Sequence, residues 1–246
     1  MSLFWYSQET IPDGLGFDYY SAVHIFWLAL FVVAAIACSF HYRSLSTSGR
    51  ALWRKIFAVL VVADELFKQF GLILGGNWDP GYLPLHLCSI NIFVIAYHCF
   101  TLNPLAGNFL YTTCIPGALA ALLFPTCEEL PLLNFMHIHY FTVHILLALY
   151  PVVLTAGADI TPDARQIPGI VGVLAILAAI MYFINPLLDA NFFFMASASE
   201  GNPLYWFKQN WGNHLYGFPV LVSAVLLVMH GPIVLYRKLK QRRIAS

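Results

Sequence analysis

Seven long apolar stretches, separated by short polar or turn-forming segments, dominate the hydrophobic pattern of this chain. They run roughly over residues 21–40, 56–75, 84–100, 105–124, 137–154, 168–187 and 215–235. Each is close to the ~20 residues that an α-helix needs to cross a bilayer's hydrocarbon layer. Turn signals such as Asn77-Trp78-Asp79-Pro80-Gly81 and Thr161-Pro162-Asp163 bound them. Pro116-Gly117 inside the fourth predicts a kink whose freed backbone groups are satisfied by neighbouring helices. The pattern predicts an all-α, polytopic membrane protein with seven transmembrane helices, a single domain over residues 1–246. Residues 1–20 lack the basic start and following apolar core of a signal peptide. Trp5, Tyr6, Tyr19 and Tyr20 suit an interfacial segment instead.

Composition strengthens the membrane reading. Hydrophobic residues make up 60% and charged residues 10% of the chain, against about 45–50% and about 25% in soluble proteins. The 246 residues are filled by seven spans and short connections, with no sizeable soluble domain. A formal net charge of zero argues against a nucleic-acid partner. The distribution of charge is more telling. Arg43, Arg50, Arg54 and Lys55 occupy the first connection, and Arg237, Lys238, Lys240, Arg242 and Arg243 form a basic tail within residues 236–246. Glu9, Asp13, Asp18, Asp79, Glu128, Glu129, Asp189 and Glu200 fall on the opposite side if seven spans alternate, with Lys208 as that side's cation. The positive-inside rule then sets the N-terminus out and the C-terminus in, in the cell membrane. The five cysteines are odd in number and scattered, which is no disulfide framework.

Polar residues inside the apolar stretches carry the candidate chemistry. The second stretch holds Asp64, Glu65 and Lys68, each costing about 2.5–3.5 kcal/mol to insert near a helix centre. Asp64 with Lys68 and Glu65 with Gln69 stand at i,i+4, so each pair is expected to meet on one face. Gly71, Gly75 and Gly76 continue those stripes and predict close approach of another helix. The cluster reads as a buried ion pair that fixes packing, or as Glu65 or Lys68 lining a polar cavity. The third stretch opens on Leu83-Pro84-Leu85-His86-Leu87-Cys88 and continues through Ser89 and Asn91. On a helix Cys88 and Asn91 share a face, whereas His86 lies nearly opposite Cys88. A base for Cys88 must therefore come from another helix. His137, His139 and His144 of the fifth stretch are the candidates. With the third stretch entering near Pro84 and the fifth near His137, Cys88 lies about 6 Å and His144 about 10 Å deep. Asn185 and Asp189 end the sixth stretch on that side.

A thiol beside an imidazole supports covalent acyl transfer, the histidine removing and returning the proton. Such a site lets a lipid's acyl chain stay in the bilayer while its ester reaches the polar pocket. Asn91 or Ser89 would then orient the base or stabilise the oxyanion. The spacing of His137, His139 and His144 does not match a tight helical metal pair, so no metal or cofactor is expected. Two other classes stay open: a transporter using Asp64, Glu65 and Lys68 as a relay, and a non-catalytic membrane protein in which Cys88 and His144 only pack.

The hexapeptide at 83–88, His144 and the stretch Asn191-Phe192-Phe193-Phe194-Met195 resemble the YwaF-like integral membrane family, which takes in animal transmembrane protein 164. The resemblance runs from about the second stretch to the seventh. It implies a seven-helix lipid acyltransferase that moves a fatty acyl group from a phospholipid to a lysophospholipid through a cysteine and a histidine. Carried over by motif, these are Cys88 and His144. His86, Asn91, Glu65, Lys68, His139, Asn185 and Asn191 are the candidate pocket residues, and membrane lipids the expected partners. Val143, Ile145, Leu146 and the Phe192-Phe193 pair depart from the family's usual residues.

Overall fold

The computed structural model describes residues 3–198 and 202–245, with side chains described through residue 241. Glu200, counted above with the acidic side, and the Arg242 and Arg243 side chains of the tail lie outside the described residues. The described chain is helical, with no strand: α1 (Ala22–Ser44), α2 (Thr47–Gly75), α3 (Leu87–Thr101), α4 (Pro104–Leu123), α5 (Phe135–Ala156), α6 (Ile167–Leu188), α7 (Pro203–Trp211) and α8 (Gly217–Ala245). Seven of these occupy the seven apolar stretches. Five, namely α1, α4, α5, α6 and α8, are long and apolar enough to cross a membrane. Helix α2 has the length but carries the Asp64-Glu65-Lys68 cluster, and α3 is apolar but only 15 residues long.

Local chemistry sets the boundaries. Asn103 and Asn134 each accept two backbone N–H bonds at the starts of α4 and α5, the usual role of an N-cap asparagine. Helix α2 begins nine residues before its apolar stretch because the Ser46 side chain caps Gly49 N–H at 3.2 Å. Helix α3 begins later than its apolar stretch, at Leu87. Pro84 forces Leu83 into extended backbone, and Leu85 N–H closes a three-residue turn on the Leu83 carbonyl at 2.7 Å. The expectation of a helix from Pro84 is thus corrected: His86 is the extended N-cap and Cys88 the second helical residue. His144 is the tenth residue of α5.

Helix α5 is the centre of the bundle, packed against α1, α2 and α4. Two-thirds (67%) of its most apolar window is buried, against 11% for α6 and 6% for α8, which lean on α4 at the periphery. Trp27 stacks flat on Phe141 at 5.1 Å to join α1 to α5. Gly71 of α2 admits the Phe135 ring, where a Cβ would sit 2.2 Å from ring carbon Cδ2. The expectation of close approach at the glycines holds there. Gly75 instead admits the Trp5 carbonyl, and Gly76 is the left-handed C-cap of α2. Outward-facing Phe40, Leu74, Leu187 and Leu227 are each at least 69% exposed. A water-soluble surface does not carry such an apolar area, whereas a bilayer solvates it.

The connections sort into two ends. At one end the N-terminal segment lies across the C-terminal ends of α2 and α4 and the start of α5. Asn134 Nδ2 donates to the Leu3 and Tyr6 carbonyls, Asn77 Nδ2 to the Trp5 carbonyl, and Gln8 Nε2 to Thr126 O and Glu129 Oε2. At the other end Arg50 and Arg54 from the α1–α2 junction hold Asp159 between α5 and α6, at 3.0 and 2.8 Å. Tyr42 OH donates to the same carboxylate. Asn108 bonds Thr161 and Asp163 there, and Arg237 reaches Pro162 O. The helices α1 to α6 and α8 therefore alternate in direction.

Candidate functional site

The Leu83–Cys88 segment forms one wall of a polar region at the end that the N-terminal segment covers. Its leucines, Leu83, Leu85 and Leu87, pack with Met181, Phe192 and Phe193 in a small apolar cluster apart from the main core. The His86 ring rests edge-on against Phe192 with centroids 5.1 Å apart. That aromatic turn is built by two asparagines. Asn185, buried in α6, accepts the Phe192 N–H at 2.8 Å and donates to its carbonyl at 3.0 Å. Asn191 accepts from Ala196 and Ser197 N–H and donates to Ser197 O. With these bonds in place Phe193 and Phe194 hold φ values of 57° and 55°, a left-handed backbone costly for aromatic residues. The hexapeptide and the Asn-Phe-Phe-Phe stretch, far apart in sequence, are two halves of one wall.

Half-buried Cys88 faces the main core rather than this cluster. Its electrostatic neighbours come from three helices: Lys68 on α2, Cys114 on α4 and Tyr140 on α5. Lys68 also acts on His86. Asn91, one turn on, is buried and meets Thr113 Oγ1 of α4 at 3.1 Å.

The polar face of α2 divides between two neighbours. Glu65 Oε1 accepts from Lys68 Nζ at 2.6 Å and from Gln69 Nε2 at 2.9 Å, while Glu65 Oε2 is buried without a partner. Gln69 further bonds the Tyr82 carbonyl and Trp78 Nε1–H, tying α2 to the loop before α3. The expected Asp64–Lys68 pair does not form. Asp64 faces α5, where Thr142 Oγ1–H donates to Oδ1 at 2.7 Å. His139 Nδ1 lies 2.9 Å from Asp64 Oδ2 and 3.2 Å from the Asp64 carbonyl, with only the carbonyl aligned for a hydrogen bond. The pairing changed because α5 offers Asp64 two partners and leaves Lys68 only Glu65.

His144 is buried one turn below Tyr140, its ring 4.6 Å from the tyrosine ring. Its Nδ1 lies 2.6 Å from the Tyr140 carbonyl. A carbonyl only accepts, so Nδ1 carries the proton and Nε2 is the bare, basic nitrogen. Among the described residues Nε2 has no hydrogen-bond partner, and Cys88 and His144 make no direct hydrogen bond. Tyr140, which lies against the His144 ring, and Cys88 both pack on the main core. The Tyr140 hydroxyl accepts from Thr126 N–H and donates to the Ala121 carbonyl, which fixes the ring.

Four further histidines are occupied elsewhere. His137 accepts from Trp27 Nε1–H and donates to the Leu130 carbonyl; His24 bonds the Leu122 carbonyl; His98 meets Tyr150 and His230 meets Thr112. Among the described residues no three histidine, cysteine or carboxylate side chains converge as a metal would require. Tyr140 was not singled out in the sequence, although its carbonyl stands four residues before His144, where a helix always presents one.

Apolar outward faces, alternating helices and a polar region inside the bundle define a multi-pass helical membrane protein. A sequence model of the TMEM164 family matches residues 19–230, and the chain belongs to that family. No curated protein and no solved structure matches it.

Proposed function

We propose that this protein is a membrane lipid acyltransferase in which Cys88 is the nucleophile and His144 the general base. It moves a fatty acyl group from a phospholipid to a lysophospholipid. The observation that carries the reading is the tautomer of His144. Its N–H is fixed on the Tyr140 carbonyl, its basic Nε2 has no hydrogen-bond partner among the described residues, and Cys88 packs against the same core cluster as Tyr140. Nε2 takes the Cys88 thiol proton as sulfur adds to the donor's ester carbonyl. The lysophospholipid oxygen leaves with that proton, and a thioester remains on Cys88. The acceptor's hydroxyl then gives its proton to Nε2 and attacks the thioester. The new ester departs and the proton returns to sulfur. Because the two side chains are not hydrogen-bonded at rest, the incoming ester must draw them together, as apo sites commonly require. The Lys68 ammonium offsets negative charge developing beside Cys88. His86, Asn185 and Asn191 hold the wall, and Asn91 and His139 with Glu65 complete the polar lining.

The domain is a seven-span unit in the cell membrane, with the N-terminus outside and the basic tail inside. Purified protein given a labelled phospholipid and a lysophospholipid tests the chemistry. Cys88→Ala and His144→Ala should each lower transfer by at least about 10²-fold, with the variants still purifying as folded helical protein by circular dichroism. Undiminished transfer by Cys88→Ala would overturn the covalent route. One observation favours a second reading, an ion or proton relay: Glu65 Oε2 is buried and unpartnered. That reading predicts flux in liposomes that Glu65→Gln abolishes.

A further inference from the structure

The basic end of the bundle has two acids within reach and more cations than they neutralise. Asp159 binds Arg50 and Arg54, and Asp163 lies 3.5 Å from Arg237. Lys55 sits over the Phe100 ring at 6.0 Å. Arg43, Lys55, Arg165, Lys238 and Lys240 are left without a counter-charge among the described residues, and of these Lys238 and Arg43 each line an apolar groove. The larger groove, about 520 Å³, runs along one face of α8 from Ser223 past Leu227 and Gly231 to Lys238, with Ile167 of α6 as its far wall. The smaller, about 300 Å³, lies between α1 and α5 and ends at Arg43.

The larger groove exists because α6 and α8 both lean on α4 and scarcely touch each other. His230 on its floor is turned inward to Thr112 at 2.9 Å, and Tyr111 OH donates to the Met229 carbonyl. These bonds hold α8 at a fixed distance from the bundle. From Ser223 to Lys238 the helix rises about 22 Å, longer than the ~15 Å depth of one leaflet. A groove of that length, apolar along its run and cationic where it meets the headgroup layer, has the shape and charge of a phospholipid. A zwitterionic headgroup brings its own cation beside the phosphate, whereas a net-anionic one leaves its charge to neutralise Lys238.

We propose that the α6–α8 groove is a binding site for an anionic phospholipid, its acyl chain along α8 and its phosphate on Lys238. The cationic end of this groove, at Lys238, lies at the opposite end of the bundle from Cys88, so the assignment is independent of the acyl-transfer reading. Native mass spectrometry of the full chain, incubated with equal amounts of phosphatidylglycerol and phosphatidylcholine, tests this. Wild-type protein should retain phosphatidylglycerol several-fold more. Lys238→Glu should reduce that retention at least about fivefold, the factor expected for one basic group at a membrane surface, and leave phosphatidylcholine unchanged. Gly231→Phe should displace lipid of either kind. A Cβ at Gly231 meets only Leu227 Cδ1, at 3.6 Å, and Lys238 is exposed and unpaired, so both variants keep the fold. Equal retention of the two lipids, a preference that survives Lys238→Glu, or a second copy of the chain in place of lipid would each overturn the assignment.

Discussion

The Tyr140 carbonyl decides what His144 can do. An α-helical carbonyl normally takes the backbone N–H four residues on, and here it also holds the imidazole Nδ1–H. That bond fixes the tautomer and leaves Nε2 basic inside an apolar bundle. If Nε2 serves Cys88, the thiol should be reactive in a way the other cysteines are not, since thiolate governs nucleophilicity. Cys127 is the sharpest contrast. It lies in the loop between α4 and α5, where burial, and next the Glu128 and Glu129 carboxylates, push its thiol well above the usual range. Its thiolate therefore appears only at pH well above about 8.5. A lipophilic electrophile at neutral pH should modify Cys88 and spare Cys127, as read by peptide mass spectrometry. His144→Ala should erase the advantage of Cys88. Equal labelling of Cys88, Cys99 and Cys114 would instead assign Cys88 to packing.

The helices themselves were largely legible, because a stretch long enough to cross the bilayer is also a stretch that must satisfy its backbone internally. What periodicity did not reveal are the places where a local or distant group overrides it. Pro84 delayed α3 and moved Cys88 into a first helical turn. Helix α7, nine residues long, went unread despite Asn202 at its N-cap, Pro203 after it and Gly212 beyond its end. Its apolar run is too short to stand out beside a membrane span. The same holds for the site. Cys88 and His144 could be singled out by type, but the Tyr140 carbonyl that fixes the His144 tautomer depends on the rotamer His144 takes inside the bundle. Asp159 is the clearest case, a single acid in a loop more than a hundred residues from the arginines it holds. Its two oxygens bridge the α1–α2 and α5–α6 junctions, and half-buried charge-assisted bonds of this kind contribute about 1.5–3 kcal/mol. Asp159→Asn should lower the unfolding temperature by several degrees, measured by thermal denaturation in detergent. Arg50→Gln, whose partner keeps Arg54, should cost less than Asp159→Asn, which strands both arginines.

The alternation of the helices constrains how the protein sits in its membrane. Contacts at one end join the N-terminal segment to the α2–α3 and α4–α5 connections. Contacts at the other join the α1–α2 and α5–α6 junctions and the tail. An odd number of crossings follows if α2 and α3 span together with the five more apolar helices, which would put the two termini on opposite faces. Helix α2 bears on this directly, since its three central charges are all turned to partners inside the bundle and present no bare charge to lipid. In the proposed orientation the basic end lies on the cytoplasmic face and Cys88 nearer the other. Single cysteines introduced at Asp79 and Lys240 separate the possibilities. A membrane-impermeant maleimide should label Asp79→Cys in intact cells, and Lys240→Cys only after permeabilisation. Labelling of both in intact cells would mean an even number of crossings between residues 79 and 240, and the reverse pattern an inverted protein. In the inverted case Cys88 would work on the cytoplasmic leaflet's lipids, so the same measurement also decides which leaflet supplies the acyl donor.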